Sequence, residues 1–477
     1  MMGKGHDMET TTQPEIAPPL WQSIREALRG GHQDFTSGSL NRSILLLAIP
    51  MVLEMVLESL FAVVDVFWVS RLGADAIATV GLTESILTLV FAVGMGLGMS
   101  TTAMVARRVG EKNADGAAIS AVQAIFLGLV TSLVIGLPCL LLAPKLLALM
   151  GATPAIVATG ANYMRIALGG SGVVLMLFLN NAIFRGAGDA AIAMRLLWVS
   201  NILNLLLDPC LIFGLGPFPK LGVTGAALAT FSGRGIGVLY QFYRLARGTE
   251  RLHIAARHMR LHGEVLWRLL RVSISGILQF LISQASWIGL VRIVSLFGAS
   301  AVAAYTIGIR IVIFAILPSW GLSNAAATLV GQNLGAGHVD RARKAVWRTG
   351  LWNMAFLGAV GVVFIVFAPA IIGLFTNDPV VVPAAVSCLR IFSYGNMAYA
   401  YGMVLMQAFN GAGDTVTPTY INVVGFWMLE IPLAWWLAMH TPLGAKGVFV
   451  SVVVAQTAVV MISLVLFRQG RWAQQKI

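Results

Sequence analysis

Apolar stretches long enough to cross a bilayer recur twelve times in this chain, and no other feature restricts its fold so strongly. A spanning helix needs about 20 apolar residues. Such stretches lie near 44–69, 77–106, 117–143, 156–183, 191–214, 223–246, 268–297, 301–331, 344–368, 380–409, 415–439 and 445–467. Inside lipid each backbone amide must be satisfied within its own segment, which leaves helices as the building unit for spans of this length. The fold class is therefore an all-α membrane protein. Only 11% of the residues are charged, against roughly 25% in soluble domains. The 50 glycines suit a bundle in which small residues let helices approach closely.

A net charge of +12 would fit nucleic acid if the basic residues formed a patch, but they sort by side. Counting lysines and arginines in alternate loops gives 23 on the side holding both termini and 4 on the other, with Arg165, Arg234, Arg292, Arg310 and Arg390 inside spans. That asymmetry predicts cytoplasmic termini, a multi-pass protein of the inner cell membrane, and the lipid bilayer as its basic partner, with no nucleic acid. All seven histidines fall in the tail or in loops, so no intramembrane haem or histidine–metal site is expected. Cys139, Cys210 and Cys388 are scattered among apolar neighbours and read as small buried hydrophobes. The polar first 40 residues lack the pattern of a cleaved signal, and Trp21–Arg29 reads as an interfacial or disordered lead-in. The basic His253–His262 loop is expected to meet lipid headgroups.

The chain also repeats itself at an offset of 225. Ala143-Pro144 returns as Ala368-Pro369, Arg165-Ile166 as Arg390-Ile391, and the Phe184-Arg-Gly-Ala-Gly-Asp189 turn as Phe409-Asn-Gly-Ala-Gly-Asp414. Gly222-x-x-Gly225 returns as Gly444-x-x-Gly447, where the offset has slipped to 222. Each half holds six helices, an even number, so both halves face the same way. They should form two six-helix lobes related by a pseudo-two-fold axis along the membrane normal. The expected organisation is a tail over 1–40, an N-lobe over 41–246, an inter-lobe loop over 247–267, a C-lobe over 268–468 and a tail over 469–477.

Six acids lie inside spans: Glu54, Glu58, Asp65, Glu84, Asp208 and Glu430. A charge at the bilayer centre costs about 2.5–3.5 kcal/mol on insertion scales, so each needs a function or a partner. The repeat separates the two cases. Arg165 and Arg390 occur in both halves and read as structural. Glu54, Glu58 and Asp65 correspond to Gln279, Ser283 and Leu290, so the twin lobe builds the same helix without charge. At 100° per residue, Glu54, Glu58 and Asp65 fall within about 20° of one another on the first helix, a stripe facing the lobe interior. Asp208, roughly 25 Å up the fifth helix, and Glu84, roughly 10 Å down the second, reach the same outer half of the lobe. Asp65 and Asp208 are the expected core of a proton-binding site, because neighbouring carboxylates in a buried site hold a proton more tightly than either would in water. Asn204, one turn before Asp208, is placed to hydrogen-bond it. Glu58 is expected to take a second proton or hold a cation, and Glu54, Glu84, Phe61 and Met55 to line the cavity. Glu430 is expected to pair with Arg310. Pro50 and Pro209 are candidate bending points.

With these motifs the chain resembles the multidrug and toxic compound extrusion (MATE) family. The residues that carry the resemblance are Ile49-Pro50, Val64-Asp65 with Arg71-Leu-Gly73, Val105-Ala-Arg107 with Gly110, the Arg-Gly-Ala-Gly-Asp turn at 185–189, Asn204-x-x-x-Asp208-Pro209 and Val330-Gly-Gln332-Asn-Leu-Gly-Ala336. The resemblance implies a monomeric secondary antiporter, with no enzymatic activity and no cofactor, that exports small organic compounds by alternating access. It points independently to Asp65, Asn204 and Asp208. It is nearer to the DNA-damage-inducible-F-like, proton-coupled branch, since the seventh and tenth helices lack the acids of the sodium-coupled branch. Phe61 stands where the family often has tyrosine. A carboxylate-lined cavity suggests cationic, amphipathic cargo. The alternatives are sodium coupling through Glu54, Glu58, Asp65 and Asp208, or flipping of a lipid-linked sugar. A membrane enzyme would need a cluster of catalytic groups that these short loops do not offer.

Overall fold

A computed structural model describes residues 20–30, 34–249, 251–475 and 477. The first nineteen residues of the tail, and His32 with them, lie outside this set. Twelve long helical rods carry the described chain: α1 (Leu40–Ser70), α2 (Ala74–Gly110), α3 (Ala114–Leu149), α4 (Pro154–Ala187), α5 (Ala190–Phe213), α6 (Val223–Arg247), α7 (Gly263–Ser295), α8 (Ala299–Gly335), α9 (Val339–Gly373), α10 (Val381–Gly411), α11 (Val416–His440) and α12 (Ala445–Arg468). Ten of them are apolar enough to read as spans by composition alone. The other two are α6, with Arg234, Arg244 and Arg247, and α10, with Arg390 and a run of amide and hydroxyl side chains. α4 breaks at Gly170, where a Cβ would run into the Phe231 ring.

Backbone geometry repeats between the halves as the sequence does. Gly188 and Gly413 end the matching turns at φ +89° and +86°, and Gly222 and Gly444 open the last helix of each half at φ +58° and +54°. These left-handed conformations suit glycine because it has no Cβ. The equivalent helices α3 and α9 turn outward, with Leu133, Val134, Leu141, Val362 and Val366 more than half exposed to what is lipid in a membrane.

The lobes meet at one end of the bundle, the face that carries both chain ends. Ile44, Leu47 and Met51 of α1 pack with Leu322, Ala325 and Leu329 of α8. Gly110 of α2 lies against the Gln332 carbonyl of α8, and Gly335 lies against the Arg107 carbonyl of α2, so the two helix ends touch backbone to backbone. Gln332 Nε2 donates to the Gly186 carbonyl at 2.9 Å, and Thr328 Oγ1 to that of Arg185 at 3.1 Å. Both tails reinforce this closure. Arg341 of α9 donates to the Ser37 and Gly38 carbonyls, at 2.6 and 2.9 Å, while Arg251 sits over the Phe35 ring. Trp472 stacks on Phe467, and the following residues receive Arg107 and Arg108 from the opposite lobe.

The lead-in is thus a docked helix, Leu20–Arg29, whose Glu26 accepts from Arg42 at 2.7 Å. The His253–His262 loop also differs from expectation. His258 is buried against Asp115 at 3.0 Å, and Gln123 bonds the Arg260 carbonyl at 2.9 Å, so part of the loop is clasped to α3 rather than turned to headgroups. Hydrogen bonds from His258 and Arg257 hold the Asp115 carboxyl below the usual carboxylate range.

Candidate functional site

The acids of α1 face into the N-lobe and meet arginines brought from other helices. Glu54 is 2% exposed. Its Oε1 accepts from Arg185 at 2.9 Å and from Asn181 at 3.0 Å, and Gln241 in turn donates to Asn181 at 2.7 Å. One turn further on, Glu58 accepts from Arg234 of α6 at 2.8 Å. The Arg234 guanidinium lies 4.9 Å from the centre of the Phe61 ring, so the ring supplies a cation–π face at this position. Glu54 and Met55 line a small pocket between the lobes together with Arg185, Phe178, Trp320 and Asn410.

Removing one partner of a buried ion pair costs about 3–5 kcal/mol, because the other charge is left unmatched. Arg185→Gln is therefore expected to lower the melting temperature of the purified protein markedly, and Glu54→Gln together with Arg185→Gln to recover most of the loss. An Arg185→Gln protein as stable as the wild type would show that this pair is not closed.

Above these pairs stands a second group of acids. Asp208 is fully buried in α5, and Asn204, one turn earlier, is 1% exposed. With its amide nitrogen turned to the carboxylate, Asn204 donates to Asp208 Oδ2 at 2.9 Å and accepts from the Thr230 hydroxyl of α6 at 3.1 Å. Among the described residues no cation lies within ion-pair distance of Asp208 or Asp65. Asp65 interacts electrostatically with Glu84 of α2 and with Arg234. The Asp208 carboxylate interacts with that of Asp65. Buried Tyr163, on α4, feels Asp65, Glu84 and Asp208 together. Of these acids Asp208 is buried, Glu58 and Asp65 are half-buried and Glu84 is exposed, and Arg234 is the arginine that pairs with Glu58 and acts on Asp65. A second arginine, Arg310 of the C-lobe, interacts electrostatically with Glu84.

The structure brings Asp65, Asn204 and Asp208 into one cluster with Glu84 at its edge, and it sets Glu58 and Glu54 deeper as ion pairs. Arg185, Arg234, Tyr163 and Thr230 join the site without having been anticipated. The repeat carried a signal for three of them, since Arg185, Arg234 and Tyr163 correspond to Asn410, Gln456 and Cys388 and so are as unmatched as the acids. The expected Glu430–Arg310 pair is absent. Glu430 is 3% exposed, within an eight-residue π-helical stretch of α11 (Val423–Glu430), with Oε2 unpartnered and Tyr305 and Tyr399 as electrostatic neighbours. Helix counting placed Arg310 at a matching depth but could not place its azimuth, and Arg310 interacts electrostatically with Glu84 instead.

Comparison with known proteins agrees with this architecture. The profile of the MatE family matches residues 50–210 and again 274–436, once in each half. The chain is 25% identical over 445 residues to a protein of Thermotoga maritima named probable multidrug resistance protein NorM, covering 92% of this chain and 94% of that one. It is 26% identical to the probable multidrug resistance protein YoeA of Bacillus subtilis, over 91% and 95% of the two chains. A solved structure described as the outward-facing conformation of a multidrug resistance MATE family transporter superposes with a TM-score of 0.86 at 27% identity, covering 92% of this chain and 98% of that one. Two matches to one family profile, in register with the internal repeat and carried by twelve helical rods, leave one assignment: the chain belongs to the MatE family of multidrug and toxic compound extrusion transporters.

Proposed function

We propose that the protein exports small amphipathic organic molecules across the inner membrane in exchange for protons. The observation that carries this reading is Asp208: a fully buried carboxyl whose described hydrogen-bond partner is a neutral amide, close to Asp65. Asp208, buried with no cation at ion-pair distance among the described residues, and its neighbour Asp65 cannot both remain charged without a counter-charge. Protons are the smallest species that balance them.

The lobes touch at the face bearing the chain ends, which the positive-inside rule assigns to the cytoplasm. The described state is then closed to the cytoplasm, while Glu84 is exposed and Asp65 half-buried toward the opposite side. Proton binding there and cargo binding from the inside favour opposite arrangements of the lobes, and that differential is what couples them. Cationic cargo was expected from a carboxylate-lined cavity. Arg185 and Arg234 neutralise Glu54 and Glu58, so any preference for cations rests on Asp65, Glu84 and Asp208.

Purified protein in proteoliposomes, loaded with a fluorescent amphiphile, tests the reading. An imposed proton gradient is expected to drive efflux and a sodium gradient of equal size to leave it at the passive rate. Efflux driven by sodium alone would transfer the coupling to sodium bound by the same oxygens.

A further inference from the structure

The C-lobe contains a cavity of 460 Å³, within the range that holds a drug-sized molecule. Its position follows from the internal repeat. Gln279 and Ser283 of α7 stand where the N-lobe has Glu54 and Glu58, Asn410 of α10 stands where it has Arg185, and Gln456 of α12 where it has Arg234. All four line this cavity. The cavity is therefore the uncharged twin of the N-lobe's two ion pairs.

The substitution changes what the site asks for. In the N-lobe, Arg185 donates to Glu54 and the pair closes on itself. In the C-lobe, the Asn410 amide nitrogen donates instead to Gln407 at 3.1 Å, and Gln407 donates on to Asn324 at 2.6 Å. Gln279 Oε1 and Asn410 Oδ1 are left without any hydrogen-bond partner, on residues 8% and 2% exposed. A buried carbonyl oxygen without a donor is unfavourable until something supplies an N–H or O–H. No lysine, arginine, aspartate or glutamate lines the cavity. A phosphate finds no counter-charge there, and a cation finds no carboxylate to pair with. The wall is aromatic: Phe280 and Trp320 stack 5.5 Å apart with their planes 8° from parallel, a flat surface on which a planar ring can stack.

We infer that this C-lobe cavity is a cargo site for uncharged, planar aromatic molecules carrying N–H or O–H donors, with Gln279 and Asn410 accepting from them. The proposal rests on the export reading in taking cargo as the occupant, and it deepens that reading by separating the tasks. The charged lobe handles the ion, and its neutral twin holds cargo that needs no charge.

The test is equilibrium binding to the purified full chain in lipid nanodiscs, with no gradient present. The probes are 2-aminoacridone, which is neutral, tricyclic and carries donors, 10-methylacridone, which is alike in shape without them, and the cation tetraphenylphosphonium. The expected result is that 2-aminoacridone binds at least tenfold more tightly than 10-methylacridone. Gln279→Leu and Asn410→Leu should each weaken 2-aminoacridone five- to tenfold and leave 10-methylacridone unchanged. Gln279→Leu should also keep or raise the melting temperature, since it removes an unsatisfied buried oxygen. Equal binding of the two acridones by the wild type, which needs no variant to fold, overturns the proposal. So does unchanged 2-aminoacridone binding in both well-folded variants, or its full displacement by tetraphenylphosphonium at an equal concentration. Proton-driven efflux of a cationic dye alongside any of these results would leave the antiport reading standing while this one falls. Binding as expected without proton-driven efflux would do the reverse.

Discussion

Asp65→Asn and Asp208→Asn are each expected to reduce proton-driven efflux from proteoliposomes to the passive rate while the protein remains folded. Asparagine keeps the size and hydrogen-bonding capacity of aspartate and removes only the ability to exchange a proton. Asp208 is fully buried and Asn204 reaches it through a neutral amide hydrogen bond, so the asparagine fits the same space. Each charge that crosses 100 mV contributes about 2.3 kcal/mol, which is about fifty-fold in accumulation ratio. A variant that no longer carries the proton forfeits that factor for each proton lost. Cargo exchange without a gradient, measured as counterflow, should survive because it does not require the proton to cross. Glu84→Gln, at the exposed edge of the cluster, should have a smaller effect. Full gradient-driven efflux by either aspartate variant would remove these residues from the coupling mechanism.

Gly110→Val and Gly335→Val are expected to abolish transport for a different reason. A Cβ on Gly110 would collide with the Gln332 carbonyl, and one on Gly335 with that of Arg107. Both obstacles are backbone and cannot rotate aside. The clash arises only where the lobes meet, so each lobe should keep its own core. Overpacking at such a contact costs about 1–3 kcal/mol, enough to shift a two-state equilibrium about 5- to 150-fold. The variants should favour the arrangement open at the face bearing the chain ends. Cysteines placed at Ser100 of α2 and Ser273 of α7, whose hydroxyls lie 2.6 Å apart across the lobes in the closed state, should cross-link readily in a Gly110 background and poorly in Gly110→Val. Equal cross-linking in both backgrounds would contradict the closure described here.

Much of the architecture was legible in the sequence because lipid imposes one rule on every segment. Each of the twelve expected spans falls on one helical rod, including α10, whose polar side chains make it a weak span by composition alone. The narrow stripe of Glu54, Glu58 and Asp65 was readable because it depends only on helical periodicity. The partners of those acids were not, because Arg185 and Arg234 lie 131 and 176 residues away and meet them only through packing. Comparing the two halves reaches further, and beyond the acids it had been applied only to Arg165 and Arg390. Extended to cations and amides, it marks Arg185, Arg234 and Tyr163, and it marks Gln279 and Asn410 as their neutral counterparts. The Glu430–Arg310 pairing failed for lack of azimuth. Depth along a helix follows from counting residues, but facing depends on neighbours, and a π-helical stretch ending at Glu430 alters the rotation as well.

In the proposed cycle, cargo and protons compete for opposite states of one molecule through Asp65 and Asp208. Adding a transported amphiphile to purified protein in weakly buffered solution, with a pH indicator present, measures this without a membrane gradient. The wild type should release protons in proportion to the cargo bound, and the Asp65→Asn/Asp208→Asn double variant should bind cargo with no release. Cargo binding by the wild type without any proton release, or the same release from the double variant, would contradict the account.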